Sequence, residues 1–305
     1  MSEKTRILLG FSIISLIWGS TWLAIKIGLD SVPPFYGVAI RFSLAAIVLL
    51  MLVRVRGEKF LFDRTSLLLY LNLGVLSFSL PYALVYWGEQ YIASGLASIL
   101  FAAYPFVVAI GSHFFLPEER LNFHKSIGIL LGFVGVIVIF WSDIQLGTAN
   151  SAGMGAILLS TVMQGTSLVV VKRKHKNLSA TALTCGGMII GVLIMYGLAF
   201  LFESFSSIRF DAKGIGSIVY LGTFGTVVTF VIYYWLVRKI EAVYLSLVSL
   251  VTPILAVILG ALFLGEVLSS RVFIGATLVL FGILIANGKD AMSAVRSQKE
   301  RFFSQ

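Results

Sequence analysis

Ten stretches of this chain are long and apolar enough to be membrane helices: roughly 7–27, 35–53, 67–87, 92–116, 126–141, 152–171, 180–202, 214–237, 242–264 and 272–286. A helix needs about 20 mainly apolar residues to cross a hydrocarbon core of ~30 Å. In lipid every backbone polar group must be satisfied within the structure, so only helices and closed barrels can span. These runs are too long for barrel strands and lack two-residue alternation. Charged residues make up 12% of the 305 positions and hydrophobic ones 58%. A soluble domain carries about 25% charged residues, so there are too few here for a polar skin. Disorder, a disulfide scaffold and a collagen-like chain are excluded on the same composition. The single cysteine, Cys185, permits no internal disulfide. The fold class expected is an all-α polytopic membrane protein. Lys4 and Arg6 ahead of the first run imitate a signal peptide. That run continues through Trp18 and Trp22 with no small-x-small cleavage site, so it reads as a retained helix.

The net charge of +9 does not point to nucleic acid, because the basic residues fall in short clusters between apolar runs. With the N-terminus inside, the inner segments hold Lys4, Arg6, Arg54, Arg56, Lys59, Arg64, Arg120, Lys125, Lys172–Lys174, Lys176, Arg238, Lys239 and the basic tail. The outer segments hold Arg209, Lys213 and Arg271. Basic residues stay on the cytoplasmic side, so both termini are expected inside and the span number even. The tail 287–305 is short, charged and expected to be a frayed or interfacial cytoplasmic helix.

The two halves carry a repeat. Tyr86-Trp87 aligns with Tyr234-Trp235, Ser98 with Ser246, and Pro105 with Pro253. After a one-residue shift Glu119 aligns with Glu266, Leu121 with Leu268, Ile127-Gly128 with Ile274-Gly275, and Gly135 with Gly282. Gly19-Ser20 faces Gly165-Thr166, and Lys26 faces Lys172. An ordered series of this length outweighs any single match. Five spans per half is an odd number, so the second half enters the membrane inverted. Gly88-Glu89-Gln90 has no basic residue, whereas its counterpart carries Arg238 and Lys239. Inverted halves are the architecture of many alternating-access carriers.

Trp18-Gly19-Ser20 with Lys26, Pro33-Pro34 ahead of Arg41-Phe42, and the two proline-then-Leu-x-Glu segments that run into Ile-Gly-x-x-Leu-x-x-x-Gly make the chain similar to the EamA family of the drug/metabolite transporter superfamily. The resemblance covers about residues 7–286. One departure is Leu116-Pro117-Glu118-Glu119, where the second half has Leu264-Gly265-Glu266. The resemblance implies two EamA-like five-helix repeats, 7–141 and 152–286. It also implies export or exchange of small metabolites such as amino acids through a central cavity. A bacterial plasma (inner) membrane is the expected location.

Several polar and aromatic stripes are candidates for that cavity. Ser15, Trp18, Trp22 and Lys26 recur at helical spacing, and Trp18 lies deeper than an interfacial belt would place it. Further faces carry Ser79, Tyr82 and Tyr86; Ser160, Gln164 and Ser167; and Thr226, Thr229 and Tyr233. Tyr104 and Tyr244 stand beside prolines. Helix packing accounts for each of these singly. Together, aromatic walls with a few polar groups suit an amphipathic small molecule. Lys26 either snorkels or attracts an anionic substrate group. Arg41, about six residues into its span, reads as a structural anchor for helix ends or carbonyls. Pro105 and Pro253 within helices are either static kinks or hinges. Glu119 and Glu266 read as helix N-terminal caps.

Every acidic residue falls at a span end or beyond it, so coupling through a buried carboxylate is expected to be absent. His113, His124 and His175 lack metal-ligand spacing, and no H-E-x-x-H, G-x-S-x-G or Walker-type loop occurs. No enzyme, cofactor or metal is therefore expected. The expected partners are a small-molecule metabolite and the lipid bilayer, with no nucleic acid. Two other classes stay open, an intramembrane enzyme acting on a lipid-soluble substrate and a passive channel. Gly128-x-x-x-Gly132 and Gly187-x-x-x-Gly191 permit close helix contact without specifying an oligomer.

Overall fold

Apolar length makes the helices, and short polar or imino residues decide where they begin. The computed structural model describes residues 3–116, 121–143, 148–174, 179–237, 239 and 248–303. The first two helices are α1 (Glu3–Leu29) and α2 (Pro34–Val55), the latter opening on Pro34, where a missing amide hydrogen costs nothing. Asp63 caps α3 (Arg64–Leu73), accepting from the Thr65 amide at 3.0 Å and the Ser66 amide at 3.2 Å. A π-turn, Gly74–Ser79, leads into α4 (Leu80–Glu89). The helices α5 (Ser94–Phe101) and α6 (Tyr104–Phe115) are separated by a turn at Ala102 and Ala103. There follow α7 (Phe123–Asp143) and α8 (Thr148–Lys174). Ser179 caps α9 (Ala180–Phe202) by accepting from the Ala182 amide at 3.0 Å. Asp211 caps α10 (Ala212–Gly222) through the Gly214 amide at 2.9 Å. A second π-turn, Thr223–Val228, joins α11 (Thr229–Val237); α12 (Val248–Leu264) and α13 (Ser270–Phe303) complete the chain.

Among the described residues there are no strands, and eight helical stretches are long and apolar enough to cross a membrane. Val251–Leu264 and Ser270–Ala286 are shorter apolar helices. The start expected for the ninth run, residue 242, lies outside the described residues. The tail does not begin a separate helix: α13 continues unbroken through 287 to Phe303.

Helix packing repeats when the two halves are exchanged. α1 packs on α12, and its counterpart α8 packs on α5 and α6. α4 packs on α8, and its counterpart α11 packs on α1. The pairs α2–α9 and α7–α13 map onto themselves. Both self-paired couples are antiparallel. Glu203, after α9, accepts from the Phe35 and Tyr36 amides at the start of α2, at 2.8 and 2.9 Å. Glu58, after α2, accepts from the Ser179 hydroxyl at the start of α9. Along the other couple Gly128 meets Gly282 while Gly135 meets Gly275, each contact the image of the other. A Cβ on Gly135 would lie 2.6 Å from the Gly275 carbonyl oxygen, and one on Gly275 would lie 2.7 Å from that of Gly135. The glycines are what let these backbones touch. Gly187 and Gly191 likewise face Leu73 and Phe78 within the chain. Both small-residue motifs therefore serve internal packing.

Candidate functional site

Side chains from the two halves converge at three levels: a laced end, a buried middle and an open end. At the first, which contains Lys26, the Lys26 ammonium donates to the carbonyls of Glu89 and Ile92, the latter at 2.8 Å. Glu266 accepts from the Ser94 amide at 2.8 Å, the Ser94 hydroxyl at 2.9 Å and the Gly95 amide at 3.2 Å. Glu266 thus caps a helix N-terminus, but that of α5 in the other half rather than the following α13. Its own chain turns at Gly265, at φ +64°, a conformation that suits glycine. Ser31 donates to Asp211, and Lys213 pairs with Asp30 at 2.8 Å. The backbone amide and carbonyl groups of the α4–α5 turn are therefore held from both halves.

Glu89 departs from the sequence expectation. It belongs to the last turn of α4, not to an open loop, and is fully buried, with neither carboxyl oxygen hydrogen-bonded among the described residues. Close approach explains the burial: a Cβ on Gly88 would sit 2.9 Å from the Gly153 carbonyl oxygen of α8. Glu89 does lie at the end of its span, as expected, but its carboxyl is enclosed there rather than open to solvent.

In the middle, Arg41 of α2 is 2% exposed. Its Nη1 donates to the Tyr86 hydroxyl at 3.1 Å and its Nε to the Thr226 hydroxyl at 3.2 Å. The guanidinium lies 5.0 Å from the Tyr82 ring centroid and 5.4 Å from that of Phe42, within cation–π range. Among the described residues Arg41 thus donates to hydroxyls of both halves, Tyr86 and Thr226, beside the Tyr82 and Phe42 rings, rather than to the helix ends or carbonyls the sequence suggested. Thr226 belongs to the second π-turn and donates onward to the Leu221 carbonyl at 2.8 Å. Ser79 does the same in the first π-turn, to the Gly74 carbonyl at 2.7 Å. Both reach five residues back, so each hydroxyl satisfies a carbonyl that the widened turn exposes.

The aromatic stripes face this interior. Trp18 packs on Phe230 and Tyr233, with centroids at 6.2 and 5.4 Å. Trp22 packs on Phe101 at 5.5 Å, and Phe101 stacks on Tyr104 at 5.8 Å. Tyr82 meets Phe42 at 4.9 Å. Gln164 is half-buried on α8. Many hydroxyls expected to await a ligand are already bonded to their own helices, as Ser160 is to Ile157 and Thr229 to Gly225. Pro105 is not inside a continuous helix; it stands in the first turn of α6, after the break at Ala102–Ala103, where proline is tolerated. Pro253 lies inside α12. Tyr244 and Glu119 lie outside the described residues.

The open end contains Arg56. A cavity of about 280 Å³ lies there, with Leu49, Arg56, Thr181, Thr184, Phe230 and Trp235 among its lining residues. Arg56 donates to the Thr181 hydroxyl at 3.3 Å. Among the described residues, none of those expected to bind substrate lines this cavity; Trp18 packs on Phe230, which forms part of its wall, and on Tyr233. Thr181 and Thr184, three residues apart on α9, are the sequence signal that was overlooked.

The model of the EamA-like transporter family matches residues 5–141 and again 151–288. The uncharacterised transporter YoaV of Bacillus subtilis is 27% identical over 282 residues, 92% of this chain and 96% of that protein. An uncharacterised transporter of Archaeoglobus fulgidus is 31% identical over 272 residues, 88% of this chain and 94% of its own. The uncharacterised inner membrane transporter YedA of Escherichia coli strain K12 is 26% identical, covering 88% and 87%. A solved protein crystal structure superposes with a TM-score of 0.67 over 93% of this chain and 98% of the other; at 20% identity it is similar in fold.

Proposed function

The chain belongs to the EamA-like transporter family, and we propose that it exports or exchanges a small metabolite such as an amino acid by alternating access. The observation that carries this reading is an interior tied shut by Lys26 and Glu266 at one end and open as a cavity at the other. Residues 7–141 and 152–286 act as the two opposed units, and 287–305 forms a cytoplasmic tail. The clustering of basic residues supports a cytoplasmic Arg56 end and cytoplasmic termini, in a bacterial inner membrane. The conformation is then the inward-facing one.

In this reading the solute enters beside Phe230 and passes between Trp18 and Tyr233. Beyond them Trp22, Tyr82, Tyr86, Tyr104 and Gln164 form the walls. Lys26 meets an anionic group only after releasing the Glu89 and Ile92 carbonyls. Bending at Pro105, Pro253 and the two π-turns supplies the motion.

Purified protein in liposomes preloaded with single metabolites is expected to give saturable uptake of the labelled compound, accelerated by the unlabelled one inside. Flux that never saturates would favour a channel, and chemical conversion of the compound would favour an enzyme. Either result would replace the carrier reading.

A further inference from the structure

The carboxyl of Glu89 has no role in the cycle just described, yet it sits where the closed end is tied. Its own carbonyl receives Lys26, and a few residues further on the Ser94 and Gly95 amides are held by Glu266. The carboxyl is inside that clamp, fully buried and without a hydrogen-bond partner among the described residues. The charged and titratable groups that reach it are Lys26 from α1, Arg41 from α2, Tyr86 one turn earlier on α4, and Glu266 from the turn after α12. The face of α8 packed against this turn brings Gly153 and Ile157. Lys26 and Arg41 attract a negative charge at this position and Glu266 repels one, but none of them hydrogen-bonds the Glu89 carboxyl oxygens. An ionised carboxylate with no protein donor is among the most expensive groups to bury. The neutral acid escapes most of that cost. Ionisation becomes affordable only when the clamp parts, water enters, and the Lys26 ammonium leaves the two carbonyls for the carboxylate.

We propose that Glu89 is a proton-binding site that governs the closed end: shut with a proton on the carboxyl, open with the carboxylate ionised and paired to Lys26. On opening, the O–H bond of the acid breaks, the electron pair stays on the carboxylate and the proton passes to external water; no other bond changes. The inference rests on the reading that this end faces outward and opens during transport. It also gives an unusual consequence for an exporter, since external acid holds the exit closed.

The test places spin labels at Gln90 and Ser269, exposed positions on either side of the clamp, in the full-length protein carrying Cys185→Ala. Distances are measured in lipid nanodiscs between about pH 5 and pH 9. The long-distance population is expected to grow with pH, the open-to-closed ratio rising by up to about tenfold per pH unit, as release of one proton requires. Glu89→Gln is expected to stay short throughout, and Lys26→Met to show the long distance at every pH. Two populations whose ratio ignores pH, or a pH response that survives in Glu89→Gln, would overturn the inference while leaving alternating access intact. One unchanging distance in the parent protein and in both variants would overturn the inference and the opening of this end together.

Discussion

Gly282→Leu is expected to lower the melting temperature by on the order of 10 °C, while Gly197→Leu leaves it unchanged or slightly raised. A Cβ at Gly282 would lie 2.5 Å from the Gly128 carbonyl oxygen and 2.8 Å from the Gly132 amide nitrogen. Those obstacles are backbone, which cannot rotate aside, so α7 and α13 must separate. Overpacking of a close-packed site costs about 1–3 kcal/mol, and more where relief requires a helix to move. A leucine reaches further than its Cβ, and separation also breaks the mirrored contact of Gly135 with Gly275, so a loss near or above the top of that range is expected. At Gly197 a Cβ meets nothing within 4 Å, and leucine favours helix over glycine. Thermal unfolding of the two variants in one detergent decides it. Equal melting would mean that α7 and α13 do not meet along these glycines.

That contact was partly visible in the sequence, and the reason is instructive. Length and hydropathy locate a membrane helix because the solvent around it is uniform. The aligned glycines at 128 and 275, and at 135 and 282, mark two equivalent surfaces. They do not say that the surfaces face each other; that needed the packing of α7 on α13. Glu266 shows the same limit. A carboxylate beside a helix start reads as a local cap, yet its amide partners are 171 and 172 residues away. The burial of Glu89 was not legible for a related reason. A polar Gly-Glu-Gln segment looks like a solvated turn, but Gly88 and Gly153 allow α4 and α8 to approach until the carboxyl is enclosed. The π-turns left a fainter trace. Ser79 and Thr226 are ordinary hydroxyls in sequence, and only an extra residue in each turn sets them against carbonyls five positions back. The cavity at the Arg56 end was not legible at all, because it belongs to the gap between α2, α9 and α11 rather than to any one helix face.

Arg41→Met is expected to reduce transport at least about tenfold while changing the melting temperature little. Arg41 donates to two neutral hydroxyls, and among the described residues no carboxylate pairs with it in a salt bridge. Hydrogen bonds from a charged donor contribute about 1.5–3 kcal/mol each, and an aromatic face adds about 0.5–2 kcal/mol. Against this stands the cost of burying a cation, several kcal/mol. Methionine removes the gains and the cost together, so stability stays near its starting value. Function need not follow, because the guanidinium joins α2, α4 and the second π-turn, elements of both halves that, in the proposed cycle, shift in a common register as the Lys26 end opens. Losing even one charge-assisted bond of this kind from the rate-limiting rearrangement corresponds to roughly a tenfold to hundredfold change in rate. Arg41→Lys is not expected to restore transport, since a single ammonium lacks the planar fork that reaches Tyr86 and Thr226 at once. Counterflow rates and thermal unfolding on the same preparations separate the roles. A large fall in melting temperature with normal rates in the surviving folded protein would make Arg41 a structural anchor only. Normal rates with normal melting would leave a buried charge that neither holds the fold nor serves the cycle, which the expense of an intramembrane cation argues against.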